Sequence, residues 1–76
     1  MAQKEGRLYL NENGRLALDA ETEFHCGDVV EVLLCNVYIT VRIEMNMRGE
    51  WYFVGLEKFH HMGFSPIGEV VRYGAA

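Results

Sequence analysis

Few side chains in this sequence could do chemistry, and they are dispersed: His25, Cys26, Cys35, His60, His61 and Ser65, with eleven carboxylates. Zinc takes Cys and His ligands, but structural sites draw them from short-spaced pairs. Cys26 and Cys35 stand at opposite ends of one extended stretch, roughly 25–30 Å apart in a strand. They do not share an ion, and no metal site is expected. Nucleophilic catalysis needs a thiol or hydroxyl within reach of a positioned base. His25 is adjacent to Cys26, so in an extended chain it points the other way. Ser65 precedes Pro66 and belongs to a turn, and a concave pocket is hard to build from so short a chain. The sequence therefore predicts no catalytic residue and no cofactor. Cys26 is expected as a buried thiol, Cys35 as a turn residue, and the histidines as loop residues.

The residues better suited to a function are those that recognise other molecules. Leu33, Tyr38, Arg42, Tyr52 and Val54 fall on one side of three consecutive alternating segments. Tyr and Arg dominate interface hot spots, and the same set on a sheet could also stack a base. This face is the candidate binding surface. Glu31 and Arg42 are expected there as a diagonal ion pair, and Leu56 is expected to join the same face.

The elements that position this face follow from periodicity. Val37 to Met45 alternates apolar and polar without a break and reads as a half-buried strand. It is the middle of a meander, flanked by Asp28 to Leu34 and by Glu50 to Leu56. A two-residue turn at Cys35-Asn36 pairs Leu34 with Val37, Val32 with Ile39 and Val30 with Val41, all apolar on one face. A three-residue loop, Met47-Arg48-Gly49, pairs Met45 with Trp51 and Ile43 with Phe53. Upstream, Gly6 to Leu10 and Arg15 to Leu18 form a hairpin over Glu12-Asn13-Gly14. That loop sets Leu10 opposite Leu16 and Leu8 opposite Leu18, with Gly14 in the left-handed conformation. Gly55 falls opposite Val41 and predicts a bend or a close backbone approach. Residues 19–23 read as an acidic loop. Residues 57–68 read as an irregular connection whose Phe59, Met62, Phe64 and Ile67 pack on the sheet, and Glu69 to Tyr73 as a last strand.

The fold class expected is all-β: a small SH3-like barrel, or a strongly bent antiparallel meander, of about six short strands. An open sheet that dimerises is the alternative. The 76 residues make one domain, with frayed ends at 1–5 and 74–76. Half of the residues are hydrophobic, enough for a core.

The net charge is −4, and the seven cations are scattered. A nucleic-acid binder needs a basic stripe to neutralise phosphates, so nucleic acid is not the expected partner. No apolar run has the 18 or more residues of a membrane span. The start leads into charge and not into an apolar run, so no signal peptide is expected. The chain is accordingly expected in the cytoplasm, with both cysteines reduced.

Val41-Arg42-Ile43-Glu44-Met45, then Gly49-Glu50-Trp51-Tyr52-Phe53-Val54-Gly55-Leu56, resemble a small bacterial family, the domain of unknown function numbered 5348. His25-Cys26-Gly27-Asp28 before a strand carrying Glu31, and the closing Gly68-Glu69-Val70, add to the likeness, which spans most of residues 6 to 73. The family is met largely in Firmicutes and often near mobile elements. It carries no activity or site to transfer. The resemblance implies a bacterial or phage accessory protein, and such proteins are often inhibitors or adaptors.

Residues and resemblance together point to a non-catalytic module that binds or inhibits a protein partner through the Tyr38, Arg42, Tyr52 face, or self-associates through it. An acidic domain of this kind could block a basic cleft of a defence protein. Sequestration of a nucleotide signal by a homo-oligomer is the second hypothesis, and a nucleic-acid-binding small barrel the third.

Overall fold

The computed structural model describes residues 3–56 and 65–74. Those residues form eight short strands: β1 (Lys4–Arg7), β2 (Tyr9–Leu10), β3 (Leu16–Asp19), β4 (Thr22–Glu23), β5 (Val29–Leu34), β6 (Val37–Met45), β7 (Trp51–Val54) and β8 (Val70–Tyr73). They build two antiparallel sheets. One has five strands in the order β1-β8-β5-β6-β7, the other three in the order β2-β3-β4. No helix occurs among the described residues, and the two sheets do not close into one barrel. Of the two architectures expected, the bent meander is the one found.

The meander keeps its expected register. Val30, Val32 and Leu34 face Val41, Ile39 and Val37 across the β5–β6 pair. Cys35 and Asn36 take φ values of 50° and 65°, and two positive values mark a type I′ turn, whose twist matches that of the strands it joins. Ile43 faces Phe53 and Met45 faces Trp51 across β6 and β7. In the first hairpin Leu10 faces Leu16, and Gly14 has a φ of 76°. Leu8 and Leu16 are buried, but Leu10 is 49% exposed, because β2 is an edge strand running out beyond the core.

Leu8 is where the chain changes sheets. Its N–H donates to Glu69 O at 2.9 Å, and its carbonyl accepts from Gly68 N at 2.8 Å, continuing the β1–β8 ladder by one step. Beyond it the same extended run joins β3. The core then fills from both sheets: Leu8, Leu16 and Phe24 meet Val30, Val32, Val41, Ile43, Phe53, Leu56 and Val71. Phe24 is fully buried and meets the Tyr73 ring edge-on, at 5.0 Å between centroids.

Several expectations are corrected. Lys4 and Glu5 are not frayed; they pair with Tyr73 and Arg72. The acidic segment 19–23 is not a plain loop. It contains β4, with a bulge in the β3–β4 pairing between Ala17 and Asp19, where Glu21 N donates to Asp19 Oδ1. β4, with the split at Leu8, raises the strand count from six to eight. Leu56 is buried in the core and does not join the outer face. Gly55, at a φ of 125°, breaks the alternation and swings the next side chain inward. Cys26 is exposed. It sits in the turn of a loop closed by His25 N donating to Asp28 Oδ2, at 2.7 Å. Ile67 is 48% exposed, while its neighbour Pro66 is buried. Phe59, Met62, Phe64, His60 and His61 lie outside the described residues.

Candidate functional site

Strand alternation decides which side chains share the outer face of the five-stranded sheet. Val30, Val32, Val41, Ile43, Phe53 and Val71 point into the core. Their neighbours point the other way, and none of those is fully buried. Leu33 stands opposite Tyr38 in the β5–β6 register, Arg42 opposite Val54, and Glu44 opposite Tyr52. All five expected site residues therefore share one face. Arg42 and Tyr52 are exposed; Leu33, Tyr38 and Val54 are half-buried. Tyr38 and Arg42 are four positions apart on β6, about 13 Å along the strand. The surface is thus a stripe with two ends.

The Leu33–Tyr38 end is braced by residues the sequence does not reveal as neighbours. β8 lies against β5 and sets Arg72 opposite Glu31, and β1 sets Glu5 opposite Arg72. Arg72 Nε donates to Glu31 Oε1 at 2.7 Å, and its guanidinium carbon lies 3.8 Å from the Tyr38 ring centre. The Tyr38 hydroxyl donates to Glu5 Oε2. The hydrogen bond from Arg72 holds the Glu31 carboxyl below its ordinary range and raises the Arg72 guanidinium. The bond to Glu5 raises the Tyr38 phenol, because ionisation would remove the donor and set two negative charges together. The expected Glu31–Arg42 pair does not form. Glu31 has a direct cross-strand cation in Arg72, and Arg42 Nε donates to Glu44 Oε2 on its own strand at 2.6 Å.

At the other end, Tyr52 borders a cleft of about 500 Å³ between two hairpin loops. The loops share one design. Asn11 Oδ1 accepts from Asn13 N and Arg15 N; Asn46 Oδ1 accepts from Arg48 N and Glu50 N. In each, the glycine three residues on donates back to the asparagine carbonyl, at 3.0 Å. The loops are tied by Trp51 Nε1, which donates to Gly14 O at 3.0 Å. Leu10, Trp51, Tyr52 and Ile67 supply the apolar walls. The recurrence of Asn three residues before Gly is the sequence signal for this pair of loops.

The thiols and His25 do not converge. Cys26 and Cys35 are both free and exposed, and His25 Nδ1 is 3.8 Å from Asp28 Oδ2. No group of three or more metal-ligating side chains occurs among the described residues. No helix there is long and apolar enough to cross a membrane.

Comparison with known proteins agrees with the resemblance in the sequence. The family model for a domain of unknown function (DUF5348) matches residues 6–65. A crystal structure of a protein from Ruminococcus gnavus, a structural genomics target, is 33% identical and superposes with a TM-score of 0.66. It covers 91% of this chain, and the match takes in 99% of its own. Among curated proteins nothing matches.

Proposed function

The chain belongs to the DUF5348 family, and on that footing we propose that it is a non-catalytic binding module whose outer sheet face docks a protein partner. The observation that carries this reading is the placement of Arg42, Tyr52, Val54 and Leu33 on one face that already pairs two of its cations internally. Glu44 neutralises Arg42, and Arg72 neutralises Glu31. Pairing spares Arg42 and Glu31 burial as isolated charges when a partner docks, and the face offers an aromatic and an arginine of the kind that anchor interfaces. Tyr38, committed to Glu5 and Arg72, stiffens one end of the stripe. The setting proposed is the bacterial cytoplasm, as an accessory or inhibitory protein of a mobile element.

The test is capture of a partner from a bacterial lysate by the tagged chain, with Tyr52→Ala and Arg42→Ala as comparisons. The reading expects a protein retained by the native chain and lost from both variants, with circular dichroism unchanged. Equal capture by all three would clear this face of the role. Light scattering of the pure protein separates partner docking from self-association through the same stripe.

A further inference from the structure

The outer face leaves one property of the chain unexplained. Glu5, Glu31 and Glu44 on that face are balanced by Arg7, Arg42 and Arg72, so the net charge of −4 must come from elsewhere. Part of that excess lies at the hairpin-loop end. The cleft between the loops has Glu50 on its wall. A second cleft, of about 470 Å³, shares Leu10 with it and is lined by Glu12, Asp19 and Glu23. No Lys or Arg is among the described residues that line either one.

These carboxylates are not equally available. Asp19 is met by Lys4 Nζ at 3.3 Å. Glu23 accepts the side-chain amides of Asn11 and Asn13, at 2.7 and 3.1 Å; these fix its position and leave its negative charge, which Arg15 and His25 feel through space. Glu50 accepts the neutral Asn46 amide, at 2.9 Å, and Glu12 is exposed at a loop tip. Between them lies the apolar strip of Leu10 and Trp51, with Tyr9 beyond.

We propose that this end of the molecule is a second docking surface, and that its occupant is an extended basic peptide segment alternating aliphatic residues with lysine or arginine. The aliphatic side chains settle on Leu10, Ile67 and the indole. The cationic heads reach the rim carboxylates, and their stems lie along the aromatic rings. Alternation suits the site because successive side chains of an extended segment point to opposite sides. The proposal does not depend on the outer face; the two surfaces share Tyr52 alone.

Trp51 is the single tryptophan of the chain and stands in the cleft, so its emission reports on occupancy directly. The full chain is titrated with a short capped peptide of alternating lysine and leucine, and separately with its glutamate–leucine counterpart. The lysine peptide is expected to change Trp51 emission saturably, more weakly as salt is raised, and the glutamate peptide not at all. The double variant E12Q/E50Q removes both charges, while the amide placed at position 50 still offers an oxygen to Asn46. It is expected to weaken the lysine peptide roughly three- to tenfold. An unchanged emission with the lysine peptide, an equal response to both peptides, or undiminished binding by E12Q/E50Q would each overturn the proposal. So would a change in emission that follows protein concentration alone, which marks a second copy as the occupant.

Discussion

Arg72 lies over Tyr38 with its guanidinium carbon 3.8 Å from the ring centre, although the two residues belong to strands that are not neighbours. The cation reaches across β5, which lies between them, and on the way takes Glu31 as its hydrogen-bond partner. β8 is therefore fastened to the meander by one side chain that serves two strands. Arg72→Lys keeps the charge but loses the planar fork and much of the stacking. It is expected to lower the Tm by less than Arg72→Ala does, with both shifts small beside that of a core truncation. Thermal unfolding followed by circular dichroism gives the order. An Arg72→Lys Tm equal to that of the native chain would show that the fork contributes nothing.

The same network sets a pH dependence. Glu31 is lowered chiefly by its hydrogen bond from Arg72, Glu23 by the Asn13 and Asn11 amides, and Asp19 by the Glu21 backbone N–H. A carboxyl whose folded pKa lies below its unfolded one contributes stability that is complete above the unfolded value. That contribution is lost as pH falls through the folded one. The chain should hold its stability from neutral pH down to the ordinary carboxylate range and lose it below. Glu31→Gln removes one of the three contributions and should flatten that acid limb. Denaturant midpoints measured across the acid range check it; an acid limb of unchanged slope in Glu31→Gln would mean the Arg72 bond is not felt in solution.

The meander is legible in the sequence because each of its pairings is closed by a short local signal. Cys35-Asn36, Met47-Arg48-Gly49 and Glu12-Asn13-Gly14 fix registers that strand alternation then propagates, and Leu34 with Val37, Ile43 with Phe53, and Leu10 with Leu16 all pair as expected. What joins β8 to β5, and β1 to β8, is no turn at all. Those strands meet after long separations in sequence, so nothing near Glu31 announces Arg72 as its partner, and Arg42 is the nearer cation along the chain. Leu56 departs from its expected face because a glycine with positive φ shifts the alternation by one, and only the backbone reveals the shift. The site is legible to the same extent: the five residues of the stripe follow from the meander, while Glu5, Arg72 and the cleft depend on contacts between distant segments.

Gly55 is the position where a single methyl group should do most harm. Its φ is 125°, and a Cβ there would come within 3.1 Å of the Thr40 carbonyl oxygen and 3.5 Å of the Val41 Cα. Backbone on both counts leaves nothing flexible to move aside. Gly49 has a φ of 80° and open space around it, so an alanine there meets conformational strain alone. Gly55→Ala is expected to cost about 3 kcal/mol and Gly49→Ala about 1 kcal/mol. Urea unfolding of the two variants tests the ranking, and equal costs would show that the approach of the β6 backbone is not tight.

The turn at Cys35-Asn36 is open to improvement. Both residues hold positive φ, which Asn tolerates and Cys does not favour, and the type I′ turn prefers Asn-Gly at these two positions. The double substitution Cys35→Asn/Asn36→Gly should stabilise the chain by about 1 kcal/mol. It also removes an exposed thiol. A rise in the denaturant midpoint at constant m-value is the expected result; a fall would mean that Cys35 is held by something other than turn geometry.

Ile43 is fully buried near the end of β6, facing Phe53, and its backbone closes the loop before β5: its N–H donates to Asp28 O and its carbonyl accepts from Gly27 N, both at 2.8 Å. Truncating the side chain leaves those bonds in place, so the cost is one of packing. Ile→Ala in a core costs about 2–5 kcal/mol, and Ile→Val about 0.5–1.5 kcal/mol. A 76-residue domain has roughly 4–11 kcal/mol in total. Ile43→Ala should therefore consume a large share of the whole and lower the Tm and the denaturant midpoint markedly, while Ile43→Val lowers both only modestly. The comparison is made by far-UV circular dichroism and by the dispersion of the amide proton spectrum. If Ile43→Ala retained a native-like Tm, the side chain would have to be less enclosed than its position between β5 and β7 requires.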